Sequence, residues 1–188
     1  MSPSGFEIES SPSLTDPRLR SLYEYWCALG RQAGGMPSIQ AFDPLHLPKV
    51  LPNIWILEVA PDTHRFRMRL AGENINAIYG RNVGGQYFGD VFAPAENALI
   101  VARYTRALSE PAIFTAVGEV YGAAGRLSQG ERLALPMLGR TGVTDTMIGA
   151  TVYGDRLDRA STVPVTGGVP AFHPFRAANH HAPDIAGG

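Results

Sequence analysis

Ile54-Trp-Ile-Leu-Glu-Val59, Arg65-Phe-Arg-Met-Arg-Leu-Ala-Gly72, Glu73-Asn-Ile-Asn-Ala-Ile-Tyr-Gly80 and Arg81-Asn-Val-Gly84 follow one another, with a Pro61-Asp62 turn between the first two. The order predicts a two-stranded ribbon that passes straight into a short helix ended by glycine. A ribbon set against a helical cluster is a common frame for a small sensory cavity. In 54–59, Ile54 and Ile56 fall on one alternation set and Trp55, Leu57 and Val59 on the other. A strand apolar on both sets is covered on both faces. The second strand alternates Phe66, Met68 and Leu70 against Arg65, Arg67 and Arg69. It therefore has one solvated face and sits at a sheet edge, where charge deters further pairing.

Upstream, Asp16 is a good N-cap and Pro17 suits the first helical position, where a missing N–H costs nothing. Leu19, Leu22, Tyr23, Trp26 and Leu29 then form a helical stripe that Gly34-Gly35 and Pro37 end. Asp43-Pro44 signals a short second helix that Pro48 and Pro52 keep from growing. Downstream, small helical pieces are broken at Gly80, Gly84, Gly85 and Gly89. A longer helix follows Pro94, with Ile100, Val101, Tyr104 and Leu108 inward and Arg103 and Arg106 outward. Strands over 112–121, 131–138 and 146–153 follow, joined by turns at 122–130 and 139–145. The last strand is apolar on both sets and so is central.

The chain divides into a flexible Ser/Pro-rich arm (1–14), one domain (15–155) and a tail (156–188) of Ala, Pro, Gly and His that reads as loosely ordered or disordered. With 45% apolar and 18% charged residues in 188, a single core is expected. A net charge of −1 gives no reason to expect nucleic acid or an anionic membrane as partner. No apolar run approaches the roughly 18–20 residues that span a bilayer. The first 13 residues lack the basic and apolar parts of a secretory signal. The single cysteine, Cys27, excludes an internal disulfide and fits a reducing cytoplasm.

Helix, helix, strand, strand, small helices, long helix and three strands, taken together, resemble the PAS fold. Residues 17–153 are similar to a stand-alone bacterial PAS-like family common in alphaproteobacteria. The resemblance rests on Leu22-Tyr-Glu-Tyr-Trp26, the Met36-Pro-Ser38 break, Asp43-Pro44 with Leu51-Pro52, Arg69-Leu-Ala-Gly72, Gly80, Gly84 and Leu133-Ala-Leu-Pro-Met137. It implies an α+β fold: a five-stranded antiparallel sheet, a helical insert on one face and the N-terminal helix on or near the other. The first and fifth strands would be central and the second an edge, as the patterns indicate independently.

The function this implies is a cytoplasmic, non-catalytic sensory or interaction module with no attached output domain. It would signal through a small-molecule cavity, a homodimer or an unknown signalling protein. The alternatives are a small-ligand-binding protein without signalling role, or an enzyme with an unrecognised site. Trp55, Phe66, Met68, Tyr79, Phe88, Phe92, Tyr104 and Tyr153 are placed to face the space between sheet and helices. They read first as core. Trp55, Met68, Tyr79, Tyr104 and Tyr153 are the candidate lining of a ligand site there, with Gly149 as its floor. A homodimer is expected because Ile54, Ile56, Ile148, Ala150 and Val152 make an apolar outer patch that one amphipathic helix would not fully cover.

Two cofactors of PAS proteins can be tested on residues. The flavin photoreceptor type needs a cysteine after Gly-Arg-Asn, and here Gly80-Arg81-Asn82 is followed by Val83. Haem often uses a histidine on the long helix, and residues 95–109 have none. No cofactor is therefore expected beyond an unidentified small ligand. His173, His180 and His181 lack metal-site spacing, and His46 and His64 stand apart, so no metal is expected. Glu58, Glu73, Asp90, Glu96 and Glu119 show no paired logic, and no nucleophile, phosphate-loop or zinc-protease motif occurs, so no catalytic residue is named.

Overall fold

The computed structural model describes residues 5–120, 126–160 and 168–185, with the backbone alone at 119, 120, 126–128 and 155–160. In chain order the elements are β1 (Phe6–Ile8), α1 (Pro17–Ala33), three 3₁₀ turns (Ile39–Ala41, Pro44–His46, Leu51–Asn53), β2 (Ile54–Val59), β3 (Phe66–Ala71), α2 (Glu73–Tyr79), α3 (Phe88–Val91), α4 (Pro94–Ser109), β4 (Ala112–Val120), β5 (Arg126–Met137), β6 (Thr146–Ala160) and β7 (Val169–Ala177). The fold is α+β. Its antiparallel sheet runs β1-β7-β4-β5-β6-β2-β3. β2 and β6 are interior and β3 is an edge, as the alternation patterns require. The sheet has seven strands where five were expected, because both chain ends contribute one.

α1 starts and stops for the reasons its sequence gives. The Asp16 carboxylate accepts from the Arg18 backbone N–H at 2.8 Å, and Gly34 closes the helix at φ 65°, a left-handed conformation that suits glycine. The start is fixed a second time from the sheet: Glu131 accepts from the Thr15 and Asp16 backbone N–H groups at 2.8 and 2.9 Å. The helix lies on the outer face of the sheet in its own chain. Leu19, Leu22, Trp26 and Cys27 pack there with Ile54, Leu133, Leu135, Met137, Ile148 and Ala150. The outer patch that suggested a homodimer is thus buried within the chain: Ile54, Ile148, Ala150 and Val152 are buried and Ile56 is half-buried. That argument for a dimer is lost.

Both termini depart from expectation. The arm expected over 1–14 contains β1, and Phe6 and Leu14 are buried. Phe6 meets Trp26 edge-on at 5.2 Å and covers Gly30, where a Cβ would collide with its ring. The tail expected over 156–188 holds the end of β6 and all of β7, which pairs with β4 from Ala112↔Pro174 to Val117↔Val169. Phe175 is buried against Trp26, ring centroids 5.0 Å apart. Pro170 and Pro174 disguise β7 as a breaker-rich tail. They are tolerated because β1 pairs only with Phe175 to Ala177, leaving 169–174 as a sheet edge that need not donate. Beyond β7, Asn179 bonds the Met36 backbone, His180 Nε2 donates to the Leu108 carbonyl at 2.7 Å, and the His181 carbonyl accepts from Thr144 N at 2.9 Å. The remaining ends, 1–4, 161–167 and 186–188, lie outside the described residues.

Three local corrections follow. Residues 126–130, expected in a turn, belong to β5, while 121–125 lie outside the described residues. β6 continues through 154–160, where the pattern was expected to fail. Leu70, expected inward with Met68, is 45% exposed: a register shift between Ile56 and Leu57 pairs Leu70 with Ile56 and turns it outward. The arginine row of β3 is not simply solvated either. Arg67 forms an ion pair with Glu58, Arg69 Nε stands 4.0 Å from the same carboxylate, and Arg65 lies over the Tyr87 ring at 5.1 Å.

Candidate functional site: a cavity between the sheet and the helical insert

The inner face of the sheet carries the second core. Trp55, Leu57 and Val59 of β2, Phe66 and Met68 of β3, Phe114 of β4, Ala134 of β5 and Met147 of β6 meet Ile75, Phe88, Ile100, Tyr104 and Leu108 from the helices. Tyr104 is the hub. Its ring lies 5.7 Å from Trp55, 5.5 Å from Phe114, 6.3 Å from Phe66 and 6.2 Å from Phe88. α4 puts it there because Ile100, Tyr104, Ala107 and Leu108 recur at helical spacing and all are buried.

This core leaves a gap. A cavity of about 20 Å³ is bounded by Trp55, Met68, Tyr79, Tyr104 and Tyr153, all five of the residues named from sequence. Leu57, Ile75, Phe88, Phe92, Ile100, Arg132 and Thr151 complete the wall. The space holds roughly one water molecule. Most of the lining is buried; Tyr79, Phe92 and Tyr153 are half-buried and so mark the side toward solvent. Tyr79 and Phe92 meet edge to face there, centroids 5.8 Å apart. They come from short helical pieces that glycine interrupts, with Gly80 capping α2 at φ 63°. Gly149, expected as the floor, does not itself line the cavity but lies against the Trp55 ring that does: a Cβ at that position would strike that ring and come within 2.6 Å of the Leu133 carbonyl oxygen.

One end of the cavity is polar. Thr151, wholly buried, accepts from Trp55 Nε1 at 3.0 Å and from Arg132 Nε at 3.0 Å. Arg132 itself is only 7% exposed. The Tyr104 and Tyr153 hydroxyls stand beside its guanidinium. Burial pushes both pKa values up, and the charge and hydrogen bonding of Arg132 pull against that rise. Neither Arg132 nor Thr151 was picked out from sequence. The signal was available: Arg132 shares an alternation set with Ala134, and a charged residue on the inward set of an interior strand is rarely placed without a polar purpose. The gap lay in leaving the faces of β5 unassigned.

The polar end connects to the other face. Asn53, buried at the end of the third 3₁₀ turn, donates to the Thr151 carbonyl at 2.9 Å. Its side-chain oxygen accepts from Asn74 of α2 at 3.2 Å and from Arg18 of α1 at 3.4 Å. Glu131, which holds the start of α1, is the immediate neighbour of Arg132 in β5. Cavity, α2 and the N-terminus of α1 thus share one hydrogen-bonded network.

Other candidates lie elsewhere. Val83, in the position a flavin-linking cysteine would take, is fully buried in the inner core. Cys27 is buried under α1, and burial raises its thiol pKa, away from the reactive thiolate. His173 lies on the outer side, its Nε2 3.1 Å from Thr115 Oγ1, and burial lowers its pKa. His46 stacks with Tyr25, and His64 sits near Asp184. Among the described residues no three His, Cys, Asp or Glu side chains converge to hold a metal ion, and no helix is long and apolar enough to cross a membrane.

A family model described as a PAS domain matches residues 14–152, most of the chain and every cavity-lining residue but Tyr153. The chain belongs to the PAS domain family, whose members are in general sensory or interaction modules and often mediate dimer or partner contacts. No curated protein matches the sequence at a significant level.

Proposed function

We propose that this protein is a non-catalytic PAS sensor that takes up a small molecule between the sheet and the helical insert and passes the change to another protein or to a second copy through α1. The observation that carries the reading is the convergence of Trp55, Met68, Tyr79, Tyr104 and Tyr153 on one incompletely filled space with a polar end. Small-molecule sites have this composition: an apolar wall and a few placed polar groups. At about 20 Å³ the space is smaller than any such guest, so uptake requires it to widen. A ligand would enter by swinging out the half-buried Tyr79–Phe92 pair, which rides on short helices rather than on the sheet. Binding then selects the open state in proportion to its preference for it. The route onward is the Asn53 network, which a shifted Thr151 or α2 would pull on at Arg18. The reading includes neither a covalent flavin, for which Val83 offers no thiol, nor a haem on α4, and it places the protein in the cytoplasm.

The test is Gly149→Ala. The added methyl drives the Trp55 ring into the cavity, at an overpacking cost of about 1–3 kcal/mol. The larger Gly149→Leu is the poorer probe, because its further carbons add to the contacts with the Trp55 ring and the Leu133 carbonyl that the Cβ alone already makes. Small molecules that raise the melting temperature of the wild type should fail to raise that of Gly149→Ala. Equal shifts in both would place binding elsewhere.

A further inference from the structure

Resting on the reading of α1 as the output side, we infer that a groove at the start of α1 docks an acidic, apolar segment of a partner protein, with Lys49 pairing its carboxylate. The groove has a volume of about 420 Å³ and lies between the first turn of α1 and residues 46–50. Unlike the inner cavity, it has room for a guest as it stands. Pro17, Leu47, Pro48 and Val50 make its apolar part, and Arg18, His46 and Lys49 bring the basic groups. None of its lining side chains is a carboxylate. Arg18 is already paired with Asp16 at 2.8 Å, and His46 Nδ1 lies 3.5 Å from Asp43 Oδ2. Lys49 differs: it is exposed and makes no ion pair among the described residues. The helix end itself adds no donor. Pro17 has no N–H, the Arg18 N–H goes to Asp16, and those of Thr15 and Asp16 go to Glu131. The charge left for a guest is therefore that of Lys49, set beside apolar side chains, and the complementary guest carries a carboxylate beside apolar groups of its own.

The extent of the apolar surface makes the guest a protein segment rather than a small molecule. Leu45 precedes the lining residue His46 and is 80% exposed, more than any other large apolar side chain among the described residues. The turn that carries it is fixed, because the Asp43 carboxylate accepts from the Leu45 N–H at 2.9 Å. Pro44 and Pro48 are exposed on the same stretch. A groove with an apolar ridge in the next residues is more than a small molecule covers, whereas a chain segment buries both. The place also suits an output. Arg18 Nη1 donates to the Asn53 side-chain oxygen at 3.4 Å, and Asn53 donates to the Thr151 carbonyl at 2.9 Å. A segment seated in the groove thus touches the residue at which the network from the cavity ends.

Lys49 is the only lysine of the chain, so isotope-labelled lysine in the full protein gives one side-chain signal by nuclear magnetic resonance, and that signal reports on the groove alone. The probe is a short blocked peptide of alternating leucine and glutamate, compared with the same peptide carrying glutamine for glutamate. Calorimetry gives the affinities, and the lysine signal shows where the peptide sits. The glutamate peptide should move the signal and bind about two- to fivefold more tightly than the glutamine peptide at low salt, the range of an exposed ion pair. Molar salt should remove that preference. Lys49→Gln should erase it, Lys49→Arg should keep it, and Leu45→Ser should weaken both peptides alike. Both positions are exposed, so the fold is not at stake. A lysine signal unmoved by the glutamate peptide at millimolar concentration would overturn the inference, as would equal binding of the two peptides at low salt. Acetate that moves the signal as far as the peptide does at equal concentration would make this a small-anion site. A signal that moves with protein concentration alone would make it a contact between two copies. Either result overturns the partner assignment. Gly149 lies outside the groove, so Gly149→Ala should bind the peptide as the wild type does, and the cavity reading and the docking inference fail separately.

Discussion

The two faces of the sheet are built by opposite rules. The outer face is covered by one uninterrupted helix of 17 residues, capped at both ends, and by the two chain termini. Trp26, at 1% exposed, fills it and gives its single donor to the Pro136 carbonyl at 2.9 Å. The buried carboxylate on that side, Glu131, serves the architecture by holding the start of α1. The inner face is covered by α2 of seven residues, α3 of four and then α4. It encloses a buried arginine, a buried threonine and an unfilled space. A face closed by a single long element is hard to open in part. A face closed by short pieces can open locally at far lower cost than global unfolding. On the proposed reading, stability and responsiveness fall to different sides of the same strands.

That contrast can be broken most severely at the outer face. Truncation after Ala160 removes β7, takes Phe175 from the Trp26 cluster, leaves β1 without its partner and exposes β4 as an edge. The expected result is insoluble protein or loss of cooperative unfolding in urea. A truncated chain that melts within about 3 °C of the full protein, a shift worth less than about 1 kcal/mol for a domain of this size, would show that the C-terminal strand is dispensable. Next in size is Trp26→Ala, which empties a fully buried aromatic site and orphans the Pro136 carbonyl. It should cost about 3–5 kcal/mol by denaturant titration.

On the inner face the effects should be smaller. Thr151→Val keeps the shape and removes the oxygen that receives Trp55 Nε1 and Arg132 Nε. A loss of about 1–3 kcal/mol is expected, the cost of leaving buried donors without that acceptor. A value equal to that of Trp26→Ala would erase the distinction between a structural and a responsive face. The smallest effect is at the start of α1. Asp16→Ala should cost about 1 kcal/mol through the lost cap. This effect carries a pH signature. The hydrogen bond from the Arg18 side chain leads in holding the Asp16 carboxyl below its ordinary pKa of 3.8, and burial opposes it. The unfolded chain therefore binds more protons in that range, and stability rises with pH there. The contribution of Asp16 is full above its unfolded pKa and is lost as the pH falls through the lower folded value. The gap between wild type and Asp16→Ala should accordingly begin to narrow as the pH falls below 3.8 and close only below the lower folded value, as followed by circular dichroism. A gap that stays constant as the pH falls well below 3.8 would mean that the carboxylate's charge plays no part.

Much of this was legible in the residues. The double apolarity of 54–59 and 146–153 placed β2 and β6 inside the sheet, and the arginine alternation of 65–69 placed β3 at its edge. Asp16-Pro17 and Gly34 set the ends of α1. The five candidate residues do line one cavity, because period 2 in strands and 3.6 in a helix each fix which side chains point together. Arg132 stayed hidden because its role depends on Thr151, Tyr104 and Tyr153, which come from β6 and α4. Leu70 was misplaced because a one-residue bulge reverses every face beyond it, and a bulge leaves little trace in composition.

The termini mark the limit most sharply. By itself the sequence determined the ends of α1, the inward sets of β2 and α4 and that of β3 as far as Met68, since those follow from local periodicity and capping, while the order of the elements carried the resemblance that gave the fold class. Only the tertiary structure decided that Phe6 and Phe175 close over Trp26, that 169–177 is a strand in spite of two prolines, and that the outer face is complete without a second copy. These depend on pairing between distant segments: β7 with β4, from Ala112 with Pro174 to Val117 with Val169, and β1 with β7 across more than 160 residues, Phe6 with Ala177 and Ile8 with Phe175. A strand that gains its partners only after the rest of the sheet exists has no periodicity of its own to announce it.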